Sequence, residues 1–418
     1  MKKEHTLANP IFAALIFIAV ALIAIYGYAQ TQNTGQGPSP TAAEKYKNIQ
    51  VLKNIPADQL IPAMQFVAAS LGVECDFCHV AGPDKRLEFD KDDKKEKKTA
   101  REMMQMMFTI NAQNFKGQRE VTCNTCHRGS PNPQAVPAVL AEGPKPIEEH
   151  EHAADPASLP SGEPVMAKFL QAIGGNVALG KVTTRVESGK ALMPEGGSMP
   201  ITIYTKTPDQ RVSVMHTPKG DSVTAYNGVA GWLLFPGRPP RAMSAADELA
   251  ARLDAEAFYP AALPQQFTAL KLQPHPEKIG DNEADVVLGE AKDQAPVKLY
   301  FDKNSGLLVR MVHYTDTPLG FLPTQVDYSD YRDVGGVKTP YRWTLGRPSG
   351  SFTIQLDKVE QNLAIDESKF AEPAFAPAGT PPSPGGAAPP AAAPRGPKPP
   401  QGAVPPSGAG STASPGGM

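Results

Sequence analysis

Four cysteines are the residues of this sequence whose type and spacing point most directly to chemistry, and all four lie in two copies of one pattern. The copies are Cys75-Asp-Phe-Cys78-His79 and Cys123-Asn-Thr-Cys126-His127. C-x-x-C-H is the attachment signature of c-type haem. The two thiols of each copy can add to the two vinyl groups of a porphyrin, and the adjacent histidine can bind the iron as its proximal ligand. The cysteines and histidines therefore predict two covalently bound haem c groups.

A pair of cysteines two residues apart also occurs in disulfides, redox-active pairs and zinc sites. None of these needs a histidine directly after each pair, and this chain has one after both. The 44 residues from 79 to 122 that separate the pairs also exceed the spacing of about 15–20 residues in zinc ribbons. The repeated histidine therefore favours haem over these alternatives.

A second axial ligand for each iron would come from the helices that must precede the motifs. Apolar residues at helical spacing predict a helix over Asp58–Leu71, with Met64 in the middle of its apolar stripe and Pro62 tolerated near its start. A second helix is predicted over Lys94–Asn111. It carries four clustered methionines, Met103, Met104, Met106 and Met107. Clustered methionines are also typical of flexible core packing, so their pattern alone does not select an iron ligand.

Residues 51–133 resemble the cytochrome c subunit of photosynthetic reaction centres. The matching segments are Asn54-Ile55-Pro56, Met64, Ser70-Leu71-Gly72-Val73-x-Cys75, Arg101-x-Met103-x-Gln105-Met106, Ile110-Asn111 and Val121-Thr122-Cys123-x-Thr125-Cys126-His127-Arg128-Gly129. The resemblance implies that Met64 and Met103 are the distal iron ligands, with Met106 or Met107 in place of Met103 if the register differs. The family's full subunit has four haems in two pairs, whereas this chain has one pair of motifs.

These features predict an electron carrier rather than an enzyme. Iron closed by methionine and histidine is suited to one-electron transfer, and its redox partner would be a reaction centre or another membrane oxidoreductase. Two alternatives stay open. One is a dihaem peroxidase-like enzyme with an open haem, and the other is a lipid-binding protein whose haems sense the redox state.

The N-terminal sequence predicts export. Lys2 and Lys3 precede an uncharged apolar run, Ile11–Ala29, which is long enough for a single transmembrane helix with the rest of the chain outside. The alternative is a cleaved signal peptide, because Gly27-Tyr28-Ala29 offers small residues for a peptidase. Both interpretations locate the body of the protein on the periplasmic side of the cytoplasmic membrane.

Composition and periodicity divide the remaining sequence. The predicted order is membrane anchor or signal segment 1–30, spacer 31–44, dihaem domain 45–137, linker 138–164, β-rich domain 165–371 and disordered tail 372–418. The β-rich domain resembles the LolA and LolB lipoprotein carriers. This resemblance rests on a helix ending at Gly174-Gly175, on the segment 226–232, and on the run 327–340. It implies a curved antiparallel sheet wrapped over helices, with lipid as a possible ligand.

The predicted fold class is therefore multidomain: a transmembrane helix, a mainly α dihaem domain, an α+β domain with a curved antiparallel sheet, and a disordered tail rich in Pro, Ala and Gly. A formal net charge of −2 argues against a nucleic-acid partner. The charged run 84–98 is interpreted as a solvated loop and helix start, with a docking patch for a redox partner as the alternative. His150 and His152, in an acidic and proline-rich linker, are interpreted as solvated.

Overall fold

The computed structural model describes residues 40–133, 158–258, 262–291 and 295–374. Residues 40–133 contain four α-helices and one short antiparallel pair of strands. The helices are α1 (Ala42–Lys45), α2 (Leu60–Leu71), α3 (Lys95–Asn114) and α4 (Cys123–His127), and the strands are β1 (Val80–Ala81) and β2 (Leu87–Glu88). Both C-x-x-C-H motifs lie in this helical region, each within one short helical turn.

Local sequence explains the bounds of α2. The 3-10 helix Ala57–Gln59 leads into it, and Pro62 lies in its first turn, where the missing N–H donor costs no hydrogen bond. Gly72 ends the helix in a left-handed conformation with φ 66°. Buried residues recur along one face of α2 and pack with Met104 and Met107 of α3 in one cluster. The apolar periodicity of the sequence is thus confirmed as a helix.

From residue 163 onward the structure is dominated by one 14-stranded antiparallel sheet. Its strands are β3 (Thr184–Leu192), β4 (Ser198–Lys206), β5 (Gln210–Thr217), β6 (Gly220–Tyr226), β7 (Gly231–Leu234), β8 (Arg241–Ala242), β9 (Ala269–Leu272), β10 (Glu277–Ile279), β11 (Asn282–Glu290), β12 (Val297–Asp302), β13 (Leu308–Thr317), β14 (Gly320–Val334), β15 (Val337–Arg347) and β16 (Gly350–Gln361). The order across the sheet is 10-11-12-13-14-15-16-3-4-5-6-7-8, with β9 paired to β11. Most neighbours are hairpins, but β16 pairs with β3 across the whole length of the region.

Side-chain burial alternates along the strands because helices cover one face of the sheet. Strand β3 alternates buried and part-exposed residues along its length, as expected of a strand with one covered face. The covering helices are α5 (Glu163–Ala172), α6 (Gly175–Leu179) and α7 (Ala245–Phe258). Phe169 of α5 packs on Phe301 of β12 with ring centroids 5.2 Å apart, in the largest buried cluster of the described chain.

The predicted fold class is wrong in two respects. The described chain is mainly β, because the sheet takes up most of residues 184–361, so the prediction of a mainly α dihaem domain joined to an α+β domain is not supported. None of the helices within the described ranges is long and apolar enough to cross a membrane, so the predicted transmembrane helix finds no support. Its segment, Ile11–Ala29, lies outside the described residues, as do His150 and His152.

Candidate functional site

Three residues, 72 to 74, separate the end of α2 from the first C-x-x-C-H motif. Cys75–Phe77 form a 3-10 turn, and the amide of His79 donates to the carbonyl of Cys75 over 3.1 Å. This turn brings both thiols and the imidazole of one motif into a single short segment. Cys75 is exposed and Cys78 is half-buried, and neither takes part in a disulfide. Burial raises the pKa of the Cys78 thiol, with Glu96 nearby as a further cause.

The second motif is itself a short helix, α4. Thr122 begins the helix through a capping box with Thr125, and Arg128 ends it in the left-handed region at φ 48°. Cys123, Cys126 and His127 are three and four residues apart, so they share one face of the turn. Cys126 is exposed and Cys123 is half-buried, and burial raises the pKa of the Cys123 thiol.

The imidazole of His127 is oriented for metal binding. Its Nδ1 atom lies 2.9 Å from the carbonyl oxygen of Ser130. A carbonyl oxygen only accepts hydrogen bonds, so Nδ1 carries the proton and Nε2 keeps its lone pair. A ring held in this way through its second nitrogen is the usual arrangement of a metal-bound histidine. The residues present at the second motif thus fit an iron ligand.

His79 is positioned differently. Its ring meets the ring of Phe89 edge to face, with centroids 4.9 Å apart. Burial lowers the pKa of His79, and the positive charges of Lys97 and Arg101 lower it further. These effects favour the neutral form of the imidazole, which is the form that binds metals. Its Nδ1 atom is buried and has no hydrogen-bond partner among the described residues, in contrast to Nδ1 of His127.

The structure divides the four clustered methionines of α3 between two faces. Met104 and Met107 are buried, with 7% and 4% of their surface exposed, in the cluster shared with α2. Met103 and Met106 are exposed at 39% and 48%. Exposed apolar side chains on a helix beside a cofactor motif fit a surface that a bound haem would cover.

Met64 of α2 is half-buried at the edge of the same cluster, packed against it but not enclosed by it. Ile61, one turn earlier on the helix, is 51% exposed. The face of α2 that carries Ile61 and Met64 thus resembles the face of α3 that carries Met103 and Met106. Both helices have one apolar face in the shared core and a second apolar face outside it.

The two motifs are brought together by a contact between glycines. The amide of Gly129, two residues after His127, donates to the carbonyl of Ser70 in α2 over 2.8 Å. Gly72, three residues before Cys75, approaches so closely that a Cβ atom there would lie 2.3 Å from the carbonyl oxygen of Gly129. Only glycine fits at position 72, both for this approach and for its positive φ.

Two supporting residues could not be identified as such from the sequence. The side-chain amide of Asn111 bonds both the N–H and the carbonyl of Val121, at 2.9 and 2.7 Å, and so joins the end of α3 to the segment before Cys123. Asp92 contacts Arg101 and Lys97, each at 2.9 Å, and these partners hold the pKa of its carboxyl group well below the usual range. Asn111 lies in the Ile110-Asn111 segment of the resemblance, whereas Asp92 appears only as one charge of a mixed run.

The charged run 84–98 is therefore partly structural. Lys97 is 9% exposed, and its ammonium group donates to the carbonyls of Phe89 and Lys91 at 3.0 and 2.5 Å. Within residues 40–133, 158–258, 262–291 and 295–374, no group of three or more His, Cys, Asp or Glu side chains could hold a metal ion by itself.

Residues 23–191 match the sequence profile of the family described as "Photosynthetic reaction centre cytochrome C subunit". The N-terminal region is similar to this family. Over 110 residues the chain is 33% identical to the photosynthetic reaction center cytochrome c subunit of Thermochromatium tepidum. This aligned stretch covers 25% of this chain and 26% of that protein. The chain thus spans about a quarter of the length of this curated relative. The resemblance named from the motifs is confirmed, since the matched residues 23–191 contain both C-x-x-C-H motifs.

Solved structures that match this chain cover about half of it. A DUF1329 family protein from Desulfovibrio piger matches with a TM-score of 0.36 and 12% identity, over 50% of this chain and 96% of its own. A LolA superfamily protein from Nitrosomonas europaea matches with a TM-score of 0.35 and 13% identity, over 51% of this chain and 98% of its own.

Proposed function

We propose that this protein is a dihaem c-type cytochrome that passes single electrons on the outer side of the cytoplasmic membrane. One haem would be attached at Cys75 and Cys78 with His79 as proximal ligand, and the other at Cys123 and Cys126 with His127. The repeated motif and the family similarity support the covalent attachment of haem c. Lys2 and Lys3 ahead of an apolar run support export.

The observation that carries this proposal is the contact between the two motif segments. Gly72 and Ser70 of the first segment touch Gly129 of the second, so the residues that lead into one haem site lie against those that leave the other. A pair of adjacent sites is what a one-electron relay needs, since electrons move between cofactors over short distances. A chain that bound two unrelated haems would not require this close approach of backbones.

Met64 and Met103 are the proposed distal ligands. Met103 lies on the exposed apolar face of α3, whereas Met104 and Met107 are enclosed in the core. Haem iron held between methionine and histidine has a higher reduction potential than iron held between two histidines. The chain's own residues supply the burial and the fixed orientation of the imidazoles, and no substrate bond is made or broken.

The proposed partner is a membrane oxidoreductase that exchanges electrons with the exported protein. The curated relative is by name a reaction centre subunit, which makes a photosynthetic reaction centre the first partner to test. The chain has one pair of haem motifs, so a single dihaem unit would make this exchange.

The test uses the full chain produced in a host that attaches haem c. The intact mass should exceed the chain mass by two haems, and redox titration should resolve two one-electron couples. Cys126→Ala should remove one haem and one couple. A mass without haem would refute the proposal, and a high-spin haem that binds cyanide and turns over peroxide would favour the peroxidase-like alternative.

For the partner, the reduced protein is added to membranes that contain photosynthetic reaction centres, and its oxidation after a light flash is followed optically. A light-dependent rate that rises with protein concentration supports the reaction centre as acceptor. If the protein stays reduced in the light but is oxidised by a second membrane preparation that lacks reaction centres, the electron acceptor is another oxidoreductase.

A further inference from the structure

The β13–β14 hairpin extends beyond the strands on either side of it and contacts the helical region, residues 40–133. Its turn consists of Thr317, Pro318, Leu319 and Gly320. The hydroxyl oxygen of Thr317 accepts hydrogen bonds from the amides of Leu319 and Gly320, at 3.2 and 3.1 Å. The same hydroxyl donates to the carbonyl of Gly320 over 2.7 Å. Three bonds through one side chain hold this turn in a single conformation.

Leu319 at the tip is completely buried, and its neighbours belong to the helices that precede the haem motifs. It shares one cluster with Leu60, Ala63, Phe66 and Val67 of α2 and with Met104 and Met107 of α3. Gly320 lies so close to α2 that a Cβ atom there would be 2.3 Å from Cζ of Phe66. A residue of the sheet thus completes the core between the two helices.

Arg119 holds the same hairpin from the side of the second motif. Its guanidinium group forms an ion pair with Asp316 at 2.7 Å and donates a hydrogen bond to the carbonyl of Thr317. It also lies 4.8 Å from the centre of the Phe321 ring, within the range of a cation–π contact. Asp316, Thr317 and Phe321 surround the hairpin tip, so Arg119 binds both of its strands.

Each contact lies within a few residues of a proposed haem ligand. Phe66 follows Met64 by two residues, Met104 follows Met103 by one, and Arg119 precedes Cys123 by four. A well-packed interior transmits a displacement to neighbouring atoms instead of absorbing it. A change at the hairpin tip would therefore move the segments that carry the axial methionines and the second attachment site.

We propose that the β13–β14 hairpin is a positioning element for both haem sites, through which the sheet sets their reduction potentials. Leu319 and Arg119 are its positioning residues. This inference rests on the proposed dihaem function, because it concerns where the ligands of those haems are held. It assigns the sheet a part in electron transfer, as the support that completes the cytochrome core.

The test measures midpoint potentials and the methionine–iron charge-transfer band in the haem-loaded full chain. Leu319→Ala should shift both potentials and weaken the band, and Leu319→Met, which keeps the volume, should restore both. Arg119→Gln should shift the second haem more than the first. Each tenfold change in the relative binding of a ligand to the two iron states corresponds to about 59 mV. Met64→His identifies the first haem, because a second histidine lowers its potential.

Leu299→Ala is the matched control. Leu299 of β12 is also completely buried, but in the cluster between the sheet and its own helices. It should reduce stability with unchanged potentials. Two results would overturn the inference: equal shifts of the midpoint potentials in Leu299→Ala and Leu319→Ala, or wild-type potentials in both Leu319→Ala and Arg119→Gln. In either case the proposed function still stands if two haems are bound. If Leu319→Ala does not fold, the midpoint potentials of Arg119→Gln and Leu319→Met test the inference instead. A wild-type chain without haem would instead refute the proposed function.

Discussion

Replacing single methionines of α3 tests which of them is the proposed iron ligand and which belong to the core. Met107 is 4% exposed in the cluster between α2 and α3, whereas Met103 is 39% exposed. Met107→Ala removes three heavy atoms from the core, a loss of about 2 kcal/mol at about 0.8 kcal/mol per buried methylene-sized group. The cavity left behind raises the expected loss to about 2–5 kcal/mol. Met103→Ala at the exposed position should change the free energy of unfolding of the haem-free chain by only about 0.5 kcal/mol.

In the optical spectrum the order of the two effects should be reversed: Met103→Ala should have the large effect and Met107→Ala the small one. Met103→Ala should remove the methionine–iron charge-transfer band of one haem, and Met107→Ala should keep both bands. Stability is measured by denaturant unfolding followed by circular dichroism, on chains prepared without haem, and the bands are recorded on the oxidised, haem-loaded chains. Met106→Ala, with similar exposure, is the control for the alternative ligand. Loss of the band in Met107→Ala with its retention in Met103→Ala would refute the assignment of faces.

Three further predictions concern stability. Gly189→Ala should lower the free energy of unfolding by about 1–3 kcal/mol, measured by denaturant unfolding, because a Cβ atom there would lie 2.2 Å from the carbonyl oxygen of Gln355. The control Gly346→Ala should be nearly neutral, because the nearest atom to a Cβ atom there is 3.9 Å away. Burial lowers the pKa of His313 below its ordinary 6.5, so the unfolded chain binds the proton more tightly and stability should fall as the pH drops below 6.5. His313→Asn should flatten that part of the curve of unfolding midpoint against pH, and an unchanged slope would contradict this. The pKa of Asp92 is lowered by its cationic partners, so its stabilisation is present above 3.8 and lost at lower pH. Asp92→Asn should therefore lose stability at pH 7 while its acid transition becomes less steep, and equal curves would exclude this role.

Helices were predictable from the sequence because their signals are local. The apolar stripe over Asp58–Leu71 corresponds to the 3-10 helix Ala57–Gln59 followed by α2, and the helix predicted over Lys94–Asn111 corresponds to α3. Each signal repeats every three or four residues and is complete within one segment.

The balance of α and β structure was not predictable in this way. Single strands such as β3 and β4 have local alternation, but the size of the sheet depends on which strands pair. Strand β16 pairs with β3, which joins residues 350–361 to residues 184–192. No local pattern indicates such a pairing. The sequence therefore predicted an α+β domain, whereas the structure has one sheet with more residues than the helical region.

The sequence by itself determined the proposed haem attachment: it has two C-x-x-C-H motifs with helices ahead of them, and covalent haem attachment needs only residues that are neighbours in the chain. Tertiary structure alone decided which methionines of α3 face outward, because helical spacing makes two faces apolar and only the packing of α2 selects the buried one. It also decided that Leu319 packs into the core beside the proposed haem sites. That contact joins residues about 250 positions apart in the chain, and it follows from the shape of the folded sheet rather than from any pattern around residue 319.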